Sequence, residues 1–184
     1  EFIDSLLESG ICYVPTLTRE VSTYIYGTRP GFFDDEFFTE YANESEIERL
    51  SEPAYMERTL ASASGAAYRV ALVQAMENMV ILQDAGAPVT FGTDAGPAGR
   101  FPGYFEHMEL ALMVGGGLTP TQALLAATSV AASCLGIDDI GTLEPGKWAD
   151  FIVLDEDPTR DITYTQLIDQ VYVAGQPIRT KTEN

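Results

Sequence analysis

The stretch that most constrains this chain is Pro88-Val89-Thr90-Phe91-Gly92-Thr93-Asp94-Ala95-Gly96. Val89, Thr90 and Phe91 are β-branched or aromatic and favour a pleated backbone, and the Gly86/Pro88 punctuation stops whatever helix precedes them. Gly92 and Gly96 then offer sharp turns on either side of Asp94, so its carboxylate is expected to project from the carboxyl end of a buried strand. In α/β barrels that end of a strand carries the chemistry, while the opposite end carries stability. The same spacing also admits an Asx turn, in which Asp94 bonds neighbouring backbone N–H groups.

A second apolar run, Ile11-Cys12-Tyr13-Val14-Pro15-Thr16-Leu17, does not alternate, the pattern of a strand covered on both faces in a parallel sheet. A short helix comes before it, with Phe2, Ile3, Leu6 and Leu7 on one face and Ser9-Gly10 as its stop. Between the two runs lie an irregular excursion from Thr18 to about Pro53 and a long helix over 54–85. The helix places Val70, Val73, Met76 and Val80 on the face expected to be buried, with a kink expected near Gly65. Strand, excursion, helix and strand make one crossover unit of a parallel α/β sheet.

The excursion mixes aromatics (Tyr24, Tyr26, Phe32, Phe33, Phe37, Phe38, Tyr41) with acids (Asp34, Asp35, Glu36, Glu40, Glu44, Glu46, Glu48). Long loops after a strand's carboxyl end are usually lids or binding loops. The segment is therefore expected as a wall of the site, its aromatics packing on the barrel and its acids facing solvent.

The formal net charge of −18 argues against partners made of nucleic acid or anionic membrane, both of which need Lys and Arg to displace counterions. It fits a cationic or neutral small substrate, or simply a solubilising surface. No run reaches the ~20 apolar residues of a membrane span. The chain opens at Glu1-Phe2-Ile3 without Met and as though part-way into a helix, which leaves localisation open between cytoplasmic and exported. Cys12 and Cys134 have no metal or redox spacing and read as two small buried hydrophobes.

Downstream of Gly96, Pro97-Ala98-Gly99-Arg100-Phe101-Pro102-Gly103 is dense in turn formers, and a helix over 104–114 carries His107 and Glu109. His107 could reach a substrate from that helix; it could equally be a partly buried histidine bonded to backbone or to Glu106. Arg100 could meet a substrate carboxylate or be an ordinary surface charge. Thr119, Pro120 and Gln122 combine an N-cap, a first-position proline and a capping box, and Thr128 could cap a second short helix ending at Gly136. Beyond it, 141–154 reads as a β-turn and strand, and 170–178 as a hairpin, with Lys147 and Asp150 as turn and register residues.

Three segments together resemble the C-terminal part of amidohydrolase-superfamily enzymes of the imidazolonepropionase-like and Xaa-Pro-dipeptidase-like branch. They are Val14-Pro15-Thr16-Leu17; Phe91-Gly92-Thr93-Asp94-Ala95-Gly96; and the span from Leu118-Thr119-Pro120 through Ala126-Ala127-Thr128 to Gly141-Thr142-Leu143-Glu144-Pro145-Gly146-Lys147-Trp148-Ala149-Asp150-Phe151-Ile152-Val153-Leu154, closed by Val171-Tyr172-Val173-Ala174-Gly175. The resemblance implies an α/β fold: the C-terminal portion of a (β/α)8 TIM barrel over 1–136, with Ile11 to Leu17 as strand seven and Asp94 ending strand eight, then strands of a composite β-sandwich over 137–184. It also implies one or two divalent metals, most often zinc, with Asp94 both as a metal ligand and as the acid/base of hydrolysis at a carbon–nitrogen bond, in an amide, cyclic amide or dipeptide-like small molecule. Ester or phosphotriester hydrolysis on the same scaffold, and a non-catalytic truncated or split fragment, are the alternatives.

A complete barrel takes roughly 250 residues. This chain of 184 offers two barrel-like runs and a β tail, so an N-terminal half is expected to be missing. Catalytic zinc usually takes about three protein ligands. With one His in the sequence, this chain alone is not expected to hold the metal tightly. Unpaired strand edges would also favour homo-oligomers or poor solubility.

Overall fold

A computed structural model describes residues 1–178. The last six residues of the expected sandwich unit, 179–184, lie outside them. Helix α1 (Phe2–Ser9) stops at Gly10, whose φ of 64° is left-handed. After it, 11–15 runs without helix to the left-handed Thr16. Its Tyr13 pairs in parallel with Val89 through Tyr13 N–H to Pro88 O (3.0 Å) and Thr90 N–H to Tyr13 O (2.9 Å).

The two expected strands are therefore parallel neighbours, but the pairing contracts to one bridge. Leu17 already opens helix α2 (Leu17–Ser22), and Ile11 is 61% exposed, so the first run is not covered on both faces. The apolar run overstated the strand because Leu17 is buried as a helical residue, with Val21 beside it.

The excursion holds two 3-10 turns (Ile25–Gly27, Gly31–Asp34), α3 (Glu36–Thr39) and α4 (Glu44–Ser51). Its aromatics form a second core: Tyr26, Phe33, Phe38 and Leu50 pack with Phe101 and Phe105 from beyond the Asp94 turn.

The expected long helix is two, α5 (Pro53–Leu60) and α6 (Ala63–Asp84). The break falls just before Gly65, where Ser62 caps α6 by accepting from the Gly65 N–H at 3.2 Å. The buried face of α6 is Leu72, Met79 and Leu82; Val70 (73%) and Val73 (56%) are exposed. In so alanine-rich a helix several stripes are apolar, and the neighbour α2, rather than the periodicity, selects which one is covered.

Helix α7 (Tyr104–Gly115) and α8 (Pro120–Ala127) close the main core with Leu110, Met113, Leu118, Ala123 and Ala126. The Thr119/Gln122 capping box forms as expected. Thr128 precedes α9 (Ser129–Leu135), but its hydroxyl donates back to Leu124 O at 2.7 Å instead of capping. Strands β1 (Phe151–Leu154), β2 (Ile168–Val173) and β3 (Gln176–Ile178) form an antiparallel sheet in that order, with Phe151 stacked on its cross-strand partner Tyr172. Asp150 accepts from the Ala174 N–H of the hairpin turn (2.6 Å), which makes it a register residue.

The cysteines are neither isolated nor fully buried. Cys12 and Cys134 are joined in a disulfide, with Cα atoms 6.0 Å apart across 122 residues of sequence. Local spacing rules could not find a pair that only the tertiary fold brings together. Among the described residues no helix is long and apolar enough to cross a membrane.

Candidate active site

The extended segment 88–93 delivers Asp94 to solvent, its side chain 54% exposed. Asp94 itself makes the turn: its φ of 53° lies in the left-handed region, where aspartate is among the few tolerated residues. Gly92 is needed for another reason. A Cβ there would lie 2.7 Å from Val14 Cγ1, so the glycine permits close approach of the two parallel segments.

The Asx-turn reading is not what forms. The turn's N–H bond goes from Ala95 to the Thr93 hydroxyl (3.1 Å), and Asp94 instead pairs with Arg100, whose guanidinium also donates to the Asp94 carbonyl (3.0 Å). Arg100 is thus neither free nor a loose surface charge. Residues 96–100 are closed by Gly96 N–H to Arg100 O and anchored by the Tyr26 hydroxyl on the Gly99 carbonyl, so the excursion supports the loop behind Asp94.

Helix α7 grips the same turn from inside. Thr93 Oγ1 donates to Glu106 (3.0 Å), whose other oxygen accepts from the Gly103 N–H (2.6 Å) at the start of the helix. One turn on, Glu109 is 0% exposed between Phe105 and Met113, equally buried on the same stripe. Its carboxylate accepts from the Leu17 and Thr18 N–H groups (both 2.7 Å) and lies 2.8 Å from Thr18 Oγ1. Burial pushes its pKa above the ordinary value, and the bonds from Thr18 and Leu17 oppose that shift. Sequence reasoning assigned Glu109 no role, although an acid in the apolar stripe Phe105, Leu110, Met113 was a signal for one.

His107, on α7, bonds through Nδ1 to the Thr165 hydroxyl (2.9 Å) and meets the edge of Phe37. The Thr165 hydroxyl proton is directed at Ile162 O (2.9 Å), so Nδ1 donates and Nε2 is left as the acceptor. Burial lowers the ring's pKa, against the opposing charge of Glu106. Its partner is Thr165, not backbone or Glu106. Among the described residues no hydrogen bond joins His107 to Asp94; Glu106, beside His107 on α7, is the residue that bonds the Asp94 turn, through Thr93. His107 lines a cavity of about 480 Å³ with Phe37, Phe38, Tyr41 and Tyr104, so the excursion does form a wall beside this histidine.

A profile of the amidohydrolase family matches residues 8–178, and the chain belongs to that family. It is similar to the imidazolonepropionase of Deinococcus deserti, 48% identical over 85 residues that cover 46% of this chain and 21% of that protein. The Deinococcus radiodurans imidazolonepropionase is 43% identical over 98 residues, 51% of this chain and 24% of that protein. Among solved structures, a Xaa-Pro dipeptidase with methionine bound in its active site superimposes with a TM-score of 0.65 at 25% identity, covering 97% of this chain and 37% of its own. The matched stretches, about half of this chain, span about a fifth to a quarter of these curated relatives, and the chain has a TIM-barrel-type fold present in part.

Enzymes of this superfamily are generally metal-dependent. Among the described residues no three His, Cys, Asp or Glu side chains come together as metal donors. A catalytic zinc takes about three. These residues do not by themselves fit a metal site, and Asp94 offers at most one carboxylate to it.

Proposed function

We propose that this chain is the strand-seven-to-sandwich portion of a hydrolase that cleaves carbon–nitrogen bonds in a small amide, cyclic amide or dipeptide, with Asp94 as the acid/base. The observation that carries the reading is the Asp94 carboxylate, held solvent-facing on a left-handed turn at the downstream end of a parallel segment. The imidazolonepropionase likeness supports the bond type.

In this reading, water adds to the carbonyl carbon and Asp94 takes its proton. The carboxylic acid so formed then protonates the nitrogen as the carbon–nitrogen bond breaks, which restores the carboxylate for the next turnover. Arg100, bonded to both the carbonyl and the carboxylate of Asp94, holds that oxygen pair in one orientation until substrate arrives. Any divalent ion in the complete enzyme takes its remaining donors from outside this chain. His107 Nε2, an unprotonated acceptor beside the aromatic cavity, is proposed to bind a substrate N–H.

The test is a substrate panel on the complete enzyme: N-acyl amino acids, dipeptides and lactams beside matched esters and phosphotriesters. Turnover confined to the nitrogen compounds is expected. Preferential ester or phosphotriester cleavage would overturn the assignment.

A further inference from the structure

Burying a carboxylate costs several kcal/mol unless it is fully hydrogen-bonded, and a leucine at the same place in a helix stripe would carry no such cost. Glu109 therefore needs a reason to be an acid. What its oxygens do, and an apolar side chain could not, is hold the end of one parallel segment against the end of the other. They take the first two free N–H groups of α2, from Leu17 and Thr18, and so fix the left-handed Thr16 turn (φ 49°). They also bring Glu109 Oε2 (2.8 Å) and the Thr93 carbonyl (3.1 Å) to the Thr18 hydroxyl as two acceptors, which share its one proton in a three-centre bond. That carbonyl belongs to the peptide that enters Asp94. Three residues earlier on the same helix face, Glu106 takes the Thr93 hydroxyl.

We propose that Glu109, acting through Thr18, is a positioning residue for Asp94: α7 uses its two carboxylates to lock the Thr93–Asp94 peptide from its carbonyl and its side-chain sides. The inference rests on the reading of Asp94 as the acid/base. A purely structural Glu109 would cap α2 and do nothing for Asp94, and Thr18 separates the two. Thr18→Val removes the hydroxyl but leaves both backbone bonds to Glu109, so the α2 cap survives; Thr18→Ser keeps the hydroxyl. Glu109→Gln, which risks the fold itself, is the secondary variant.

The experiment has two arms. In the 184-residue chain, the Asp94 amide and side-chain carboxyl signals are followed by NMR. They are expected to shift in Thr18→Val and to stay at parental positions in Thr18→Ser. In the complete enzyme, Thr18→Val should lower kcat by ~10- to 100-fold with KM nearly unchanged, since misplacement by about 1 Å costs on that order, while Thr18→Ser stays close to the parent. Unmoved Asp94 signals in Thr18→Val, or equal losses in the two variants, overturn the proposal. A complete enzyme that hydrolyses no carbon–nitrogen bond removes the functional reading instead, and the NMR arm still decides whether Thr18 positions Asp94.

Discussion

Removing the Cys12–Cys134 crosslink, by reduction or by the paired change Cys12→Ser and Cys134→Ser, is the perturbation whose size the structure sets most directly. The bridge closes a loop of 122 residues. The chain-entropy relation for a loop of that length gives a loss of roughly 16 cal/mol/K from the unfolded ensemble, or about 4.9 kcal/mol at 25 °C. Domains of this size usually have only ~5–15 kcal/mol in total, so the reduced protein is left marginal. The loss should also begin locally, because among the described residues the segment that carries Cys12 is otherwise paired only through the Tyr13–Val89 bridge. Urea unfolding followed by far-ultraviolet circular dichroism should show the midpoint falling by roughly 2 M, given an m-value of ~2–3 kcal/mol/M. The Tyr13 amide and that of its partner Thr90 should lose exchange protection before those of α7. A midpoint shift under about 0.5 M, or two thiols that react in the unreduced protein, would refute the reasoning.

Gly92→Ala places a methyl 2.7 Å from Val14 Cγ1 and should destabilise by ~1–3 kcal/mol in urea melts, with Val14→Ala restoring much of the loss; an equal loss in the double variant would contradict the contact. Burial depresses the His107 pKa below 6.5, so the unfolded chain binds the extra proton. Stability from the neutral ring is complete above 6.5 and is lost as pH falls through that value toward the lower folded pKa. His107→Gln should flatten the stability decline measured between about pH 7 and pH 5, and an unchanged slope would reject the burial argument.

Features encoded within a few residues were legible in the sequence. Thr119, Pro120 and Gln122 announce α8 because capping chemistry is local, and the Ala174-Gly175 turn announces the β2–β3 hairpin for the same reason. The parallel relation of the 11–17 and 88–94 runs was also legible, since a long helical connection between apolar runs forces a crossover. What failed depended on partners far along the chain. The disulfide spans most of it, the covered face of α6 is chosen by α2, and the strand ending in Leu17 gives way to a helix whose first N–H groups are received by Glu109. At the candidate site, the turn that exposes Asp94 was legible from the flanking glycines, although Asp94 itself adopts the left-handed conformation. Its restraint by Arg100, Glu106 and the Glu109–Thr18 pair was not, because each contact joins different elements or crosses the loop between them.

The most direct measurement is kcat/KM of Asp94→Asn in the complete enzyme, on the best nitrogen-containing substrate and beside an unfolding curve. Loss of general acid–base help predicts a fall of ~10²- to 10⁴-fold with the unfolding midpoint nearly unmoved. Activity within about tenfold of the parent, in a folded variant, would contradict the account.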